Sequence, residues 1–411
     1  MRKHQLSLLL LTVITCTHAS AHELHEDLHV HGFVNQAALY SPDNPYAGND
    51  ASNGSVKFRE IGLNGYIELN SGLRFAGQIL SRQRDELDDG DVRVDFLLAD
   101  YLIWSNQYAA FGVRAGRVKN NIGFYNSIRD IPSARPGYNV PDSIYFDAFR
   151  DPLLSTDGLN LYGSALVYDN QLTWEATIGR RDIDSEDFEY FTFGYPLEDG
   201  DADDVPIYLL NLNFVPSALR DLRLGASFVS TNIDFDTSLS VAEAQQRMMM
   251  SPPGDVQANR HRYITAAEFE ALLATFSVQY SLKDWVFTSE YLHLDAEFEG
   301  EIVGSPVENG KKSHGFYVQA EWLPTPRTTW LIRYEELKFG DGKSSLEYNP
   351  YRSYGKGWTL SSRWKFAEDW LLIGQASFNE GTAWLPDFKG IEDEQIQKYW
   401  NYYVLSLNYQ F

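Results

Sequence analysis

The 411-residue chain carries 57 Asp and Glu against 34 Lys and Arg, for a formal charge of −23 at pH 7, and 14% of its residues are aromatic. So acidic a chain repels polyphosphate, which excludes nucleic acid as a partner. A single cysteine, Cys16, excludes a disulfide framework and thiolate-held metal.

Met1-Arg2-Lys3-His4 gives a positive start, Leu6 to Thr15 an apolar core and Ala19-Ser20-Ala21 a small-residue cleavage site. That is the layout of a secretory signal peptide over residues 1–21, leaving a mature chain 22–411. Loss of Arg2 and Lys3 takes the formal charge from −23 to −25. Cys16 would leave with the peptide; a lipoprotein site there is disfavoured by Thr15, where a small Ala or Gly is expected. Beyond this leader no run reaches the roughly 18 apolar residues of a membrane helix. A membrane location would therefore require a closed barrel, the other architecture that satisfies every backbone polar group in hydrocarbon.

His25-Glu26-Asp27-Leu28-His29 fits the H-E-x-x-H zinc pattern. It stands directly before a strand, with no room for a buried helix and no evident third ligand, so catalysis is not expected. His22, His25, His29 and His31 are at most a weak metal site, and no cofactor is expected.

From Val30–Tyr40 onward the chain alternates apolar and polar residues between turn signals, giving about sixteen strands. Ile61, Leu63, Ile67 and Leu69 share one parity, as do Phe75 and Ile79, then Leu97, Tyr101 and Ile103. Later sets include Leu159 and Leu161, Tyr208 to Phe214, Leu272 to Tyr280, Phe316 to Trp322, and Trp358 to Phe366, with Trp and Tyr concentrated at their ends. Short connections (Asn70 to Gly72, Ser105 to Tyr108, Asp169 to Gln171, Pro216 to Arg220, Lys283-Asp284, Pro324 to Arg327, Ala367 to Asp369) alternate with long ones. Among the long ones are Val118 to Ser155, Asp234 to Ala267 and Glu299 to Ser313. Ser240 to Glu243 and Thr265 to Glu268 both match helix capping boxes. In the last strand Tyr403, Leu405, Leu407, Tyr409 and Phe411 form an apolar face against Val404, Ser406, Asn408 and Gln410. A terminal Phe behind alternate apolar residues resembles the C-terminal assembly signal of bacterial outer-membrane barrels, and the resemblance implies the barrel-assembly machinery as a partner. The expected fold class is all-β, a transmembrane antiparallel up-and-down barrel of one domain. Sixteen strands leave a water-filled lumen unless a loop narrows it, and the third long loop, Val118 to Ser155, is the segment expected to do so.

Charge gathers at that loop. Arg117, Lys119, Arg129, Arg135 and Arg150 cluster in and next to it, while parity turns Arg114, Arg333 and Arg363 to the lumen with Arg74 and Arg82 as neighbours. Glu60, Glu68, Asp100, Glu175, Glu321 and Glu335 face the same space. Two readings compete: a transverse field across a constriction, or loop arginines paired with acids to hold the loop. Tyr125, Tyr138 and Tyr145 fit packed loop aromatics better than a sugar slide.

The passage Gly116-Arg117-Val118-Lys119-Asn120-Asn121-Ile122-Gly123-Phe124-Tyr125-Asn126, with Arg129-Asp130-Ile131-Pro132, Arg135-Pro136 and Pro141 to Tyr145, resembles the strand-to-loop entry of the phosphate-selective porin O and P superfamily. The resemblance implies a sixteen-stranded outer-membrane channel, commonly a homotrimer, with an inward third loop; the family's phosphate-site lysines find no full match here. The expected function is passive diffusion of small hydrophilic solutes and ions, in contact with outer-membrane lipid and lipopolysaccharide. A dedicated channel for anions or oligosaccharides is the alternative, and an outer-membrane phospholipase is the alternative of another class. Gly342-Lys343-Ser344 ends like a P-loop, but Leu337 stands where its first glycine belongs, and His261, His293 and His314 are isolated in sequence.

Overall fold

The computed structural model describes residues 28–46, 49–85, 88–147, 150–183, 202–235, 239–252, 263–340, 350–385 and 396–411. The expected signal peptide, His22, His25, His261 and Gly342-Lys343-Ser344 lie outside them.

Sixteen strands in these residues close into one antiparallel barrel. The first half comprises β1 (Leu28–Tyr40), β2 (Ser55–Asn70), β3 (Leu73–Arg84), β4 (Asp89–Ser105), β5 (Ala109–Lys119), β6 (Ser155–Val167), β7 (Asn170–Ile183) and β8 (Ala202–Val215). The second comprises β9 (Leu222–Phe235), β10 (Ile264–Leu282), β11 (Trp285–Ile302), β12 (Ser305–Thr325), β13 (Thr328–Lys338), β14 (Tyr354–Ala367), β15 (Trp370–Gly381) and β16 (Tyr399–Gln410). Each strand pairs with its sequence neighbours, and β1 pairs with β16 from Phe33↔Gln410 to Tyr40↔Tyr403. Beyond that ladder Gly32 and Phe411 exchange two backbone hydrogen bonds of 3.0 Å, so the terminal Phe finishes the seam. No sheet edge is left to solvent or lipid.

The apolar parity faces out. Leu63, Leu97 and Leu405 are 43%, 61% and 58% exposed, while Ser406 and Asn408, their counterparts on the other parity of β16, are buried inside. At the short-turn end the outward rings form a row in which Trp285 stacks on Trp322 at 6.0 Å and Trp370 meets Tyr409 at 4.8 Å. At the loop end Tyr40 stacks on Tyr403 at 6.3 Å and Tyr334 meets Trp358 at 5.0 Å. An apolar band between two aromatic rows is the outer face that hydrocarbon and its two interfaces select.

The short connections fall where the turn residues place them: Tyr168 (φ 50°) and Asp169 (φ 64°), for example, join β6 to β7. Ser240 caps a helix as its sequence predicts; among the described residues, numbered in chain order, the helices are α1 (Asp142–Tyr145), α2 (Arg150–Leu154) and α3 (Val241–Met250). Three expectations are corrected. Glu299 to Ser313 is not a long loop: β11 and β12 continue and join through Val303 (φ 55°) and Gly304 (φ 73°). This hairpin rises beyond the apolar band, where neither face needs alternation to form a strand. Thr265 to Glu268 lies in β10 rather than opening a helix, because Phe269, Ala271 and Leu273 continue its buried inner row. The long connection around α3 is correspondingly shorter than Asp234 to Ala267, since β9 runs to Phe235 and β10 starts at Ile264.

At the loop end the inner wall of β8 to β11 is itself apolar. Ile207, Val229, Ile233, Phe269, Leu273 and Leu294 are buried there, and Pro152 and Leu153 of α2 close over a cavity of about 10 Å³ beside them.

Leu405→Arg, in the outward band, is expected to destabilise the bilayer-inserted barrel by about 2–4 kcal/mol. Gln279→Arg, on the inward parity, should change stability by less than about 1 kcal/mol. Denaturant unfolding from lipid vesicles measures both, and equal effects would contradict the outward assignment.

Candidate functional site

The segment between β5 and β6 enters the lumen and bonds to inward side chains around most of its circumference. Asn121 Nδ2 donates to Glu175 Oε2 of β7 at 2.7 Å, and the Gly123 N–H donates to Ser227 Oγ of β9 at 2.9 Å. Farther along, the Tyr138 N–H donates to Gln375 of β15 at 2.8 Å, and the Ser143 N–H donates to Glu335 of β13 at 3.0 Å. Arg363 of β14 donates to the Ser133 carbonyl and Arg333 of β13 to that of Asn139. A polar inner wall thus supplies the partners that a loop withdrawn from bulk water must find.

The tightest pin is Glu290 of β11, which is fully buried. Its Oε1 accepts from the Phe124 N–H at 2.8 Å and Ser277 Oγ at 2.5 Å; its Oε2 accepts from the Tyr145 hydroxyl at 2.6 Å and the Tyr317 hydroxyl at 2.9 Å. Burial and the Glu290 charge push the Tyr145 hydroxyl well above its ordinary value, so it stays protonated and keeps donating. Gly123 turns the loop here with φ 55°, and a Cβ on it would fall 2.2 Å from the Tyr145 hydroxyl oxygen. Gly315 of β12 lets α1 touch the wall, since a Cβ there would meet the Ser143 carbonyl oxygen at 2.0 Å.

Charged loop residues form a second set of anchors. Arg135 forks onto Glu60 of β2 at 2.5 and 3.1 Å, and Glu60 is backed by Asn35 Nδ2 at 3.0 Å. Asp130 takes Arg150 at 2.5 Å and Lys119 at 3.0 Å, and Lys119 reaches on to Asp95 at 2.6 Å. A bulge in β4 turns Asp95 inward. Burial alone would raise the Asp130 carboxyl, but Arg150, Lys119 and Arg129 overcome it and hold the group well below its ordinary value. Asp147 gathers Arg82, Arg84 and Arg129. Burial and the nearby Arg150 lower Arg129 to about 9, still charged at neutral pH. Glu60, Arg129, Asp130, Arg135, Asp147 and Arg150 help line a cavity of about 30 Å³, room for about two waters.

A different group is open to water. On the inner wall of β3 to β7 signs alternate: Arg74 meets Asp100 at 2.7 Å, Arg114 meets Asp100 at 3.6 Å, and Arg114 meets Glu175 at 3.5 Å. Tyr162 ties the row together, donating its hydroxyl to Asp100 at 2.6 Å under the Arg114 guanidinium, 4.2 Å above the ring. The Arg74 side chain is 43% exposed and that of Arg114 23%, whereas Arg135 and Arg150 are at 7%. Across the lumen Glu321 of β12 and Arg363 are partly exposed, and Arg223 of β9 sits 4.2 Å over the Phe124 ring of the loop.

The expected site residues therefore separate. Arg114, Arg363 and Glu321 face the lumen and reach water. Arg129, Arg135, Arg150, Arg333, Glu60 and Glu335 face the lumen side but are buried in loop anchorage, and Lys119 bridges two buried aspartates. Arg117 is on the outer parity with Val113 and Ala115, forked onto Asp157 at 2.6 and 2.8 Å, so the structure places it away from the lumen. Tyr125, Tyr138 and Tyr145 are all buried. His29, in β1, stacks on Tyr66, so the second half of the H-E-x-x-H run is strand. Tyr403 to Phe411 end the seam strand as described. Sequence reading missed Arg223, although its place between outward Leu222 and Leu224 carried the signal.

No family model and no curated protein matches the sequence. Solved structures do. OmpT of Vibrio cholerae is 10% identical, with 94% of this chain and 99% of that chain covered and a TM-score of 0.55. An anion-selective porin from Comamonas acidovorans is 12% identical, with 93% and 99% covered and a TM-score of 0.55. The outer membrane channel DcaP of Acinetobacter baumannii is 10% identical, with 94% and 97% covered and a TM-score of 0.51. At such identities the likeness is one of fold.

Arg135→Ala leaves Glu60 charged and buried without its partner, a loss of about 3–5 kcal/mol in loop docking. Amide exchange at Phe124 and Tyr138 should speed accordingly, and unchanged protection would contradict the anchor. Asp142 of α1 adds a pH dependence, because burial and the Glu335 carboxylate push it up from 3.8 to about 7 against Arg333, Arg84 and Arg129. The docked loop thus holds a proton that a released loop gives up. Docking is favoured most below about pH 4, weakens up to about pH 7 and is constant above. Asp142→Asn should remove this slope and leave protection at pH 8 higher than in the parent chain.

Proposed function

We propose that the barrel lies in a Gram-negative outer membrane as a water-filled channel for passive diffusion of small hydrophilic solutes and ions. The observation that carries this reading is the division of one wall into an outward apolar band between aromatic rows and an inward, partly hydrated row of charges, Arg74, Asp100, Arg114 and Glu175. Opposite charges within 2.7–3.6 Å on one wall largely cancel. They favour weak ion preference over a dedicated anion filter. The loop between β5 and β6 narrows the path, and its own arginines serve mainly to hold it.

Relation to the phosphate-selective porin O and P superfamily rests on the loop-entry residues Gly116 to Asn126 and on the fold. A homotrimer is part of the same reading, supported by one neighbour, an in-vitro folded OmpT described in trimer form. The terminal Phe411, set in the seam, is the element the barrel-assembly machinery would read, and lipid with lipopolysaccharide would cover the outward band. A channel is favoured over a phospholipase because, among the described residues, His293 and His314 bond to each other, and His314 to Tyr291, rather than to a serine hydroxyl.

In planar bilayers the protein should give stepwise conductance with a small reversal potential in a salt gradient. Arg114→Ala leaves Asp100 and Glu175 less compensated and should move the reversal potential toward cations, while Arg117→Ala, on the outer face, should leave it unchanged. Lipid hydrolysis without conductance, or identical reversal potentials for Arg114→Ala and the parent chain, would overturn the assignment.

A further inference from the structure

Two histidines that sequence reading left isolated meet on the outer face. His293 of β11 and His314 of β12 are directly opposed in the ladder, and both point outward just beyond the pair Tyr291↔Phe316. Their Nδ1 atoms lie 3.2 Å apart, and the ring planes are tilted by 31° with centroids at 4.9 Å. The Tyr291 hydroxyl is 2.8 Å from the same His314 nitrogen.

We propose that His293 and His314 form a chelating site for a divalent transition-metal ion, of the class zinc, copper or nickel, that clamps β11 to β12. Zinc–imidazole bonds of about 2.0–2.1 Å in tetrahedral geometry hold two nitrogens about 3.3 Å apart. The sheet already presents that separation, so closing the chelate asks for little rearrangement. Without metal one imidazole donates its Nδ1 proton to the other. For binding, that ring shifts its proton to Nε2, the Tyr291 hydroxyl gives up its bond to His314 Nδ1, and both Nδ1 lone pairs turn to the ion. Imidazole selects zinc, copper and nickel over calcium and magnesium. No third His, Cys, Asp or Glu joins the pair among the described residues, so the remaining positions fall to water or to the Tyr291 oxygen. Asp295 is held by Lys312 at 3.1 Å in the next outward pair. The clamp would fasten the hairpin at the level where it leaves the apolar band, and it is independent of whether the barrel conducts.

The test uses the full mature chain folded in detergent micelles, with heat-modifiable migration as the check of folding. Zinc titration by calorimetry and copper spin resonance are compared among the parent, His293→Gln and His314→Gln. Both exchanges are at outward, water-facing positions where glutamine fits a strand. The expected result is one ion fewer at micromolar zinc in each variant, with affinity at this site reduced about tenfold or more. The copper spectrum should lose its two-imidazole component in both. The difference from the parent separates this site from the N-terminal histidines. Equal stoichiometry and affinity in all three proteins, or no zinc-dependent heat that the variants abolish, would overturn the proposal.

Discussion

A strand that crosses hydrocarbon cannot leave an N–H or C=O unpaired, and in this molecule that demand is met only because β1 and β16 find each other. The pairing from Phe33↔Gln410 to Tyr40↔Tyr403, finished by Gly32 and Phe411, turns a sheet with two open edges into one with none. Once the wall is closed, strand geometry divides it: every second side chain is outside and the rest are inside. The outward aromatic rows and the inward ladder of Arg74, Asp100, Arg114 and Glu175 are consequences of the same alternation.

The same demand recurs inside. A loop drawn into the lumen exchanges water for protein, and each polar group buried without a partner costs about 1–3 kcal/mol. Glu290 with its four donors, Glu335 under α1 and Glu60 under Arg135 are how the wall answers. Most of the arginines near the loop are thereby committed to the acids that hold them. Among the described charges still in contact with water is a row on β3 to β7 in which positive and negative groups alternate. On the proposed reading, a path lined this way would screen its own charges, and a sequence so acidic overall would not make it strongly cation-selective.

Much of the architecture was legible because one physical rule, alternation, governs every crossing strand. The lipid-facing sets, the short turns and the seam strand follow from parity and turn chemistry alone. The misreadings occur where that rule lapses. In the β11–β12 hairpin the residues are mostly charged, small or glycine, so Glu299 to Ser313 reads as loop while its backbone continues the ladder. On β8 to β11 the inner row turns apolar under α2, so no alternation marks those ends. Parity placed Arg114, Arg333 and Arg363 correctly, but it cannot tell a hydrated arginine from a buried one. That distinction depends on where the loop lies, and the loop is positioned by contacts such as Phe124 to Glu290 between residues far apart in the chain. Arg117 adjoins the loop in sequence, yet its place on β5 opposite outward Leu97 turns it away from the lumen.

The central claim, a closed wall with lipid outside and water within, can be tested with single cysteines in residues 22–411, which hold no native cysteine because Cys16 lies in the expected leader. Arg74→Cys and Leu405→Cys, each reconstituted in a planar bilayer, are exposed to a charged, membrane-impermeant thiol reagent while current is recorded. The account predicts a stepwise fall in current for Arg74→Cys and none for Leu405→Cys. Reaction and block at Leu405→Cys with silence at Arg74→Cys would contradict it.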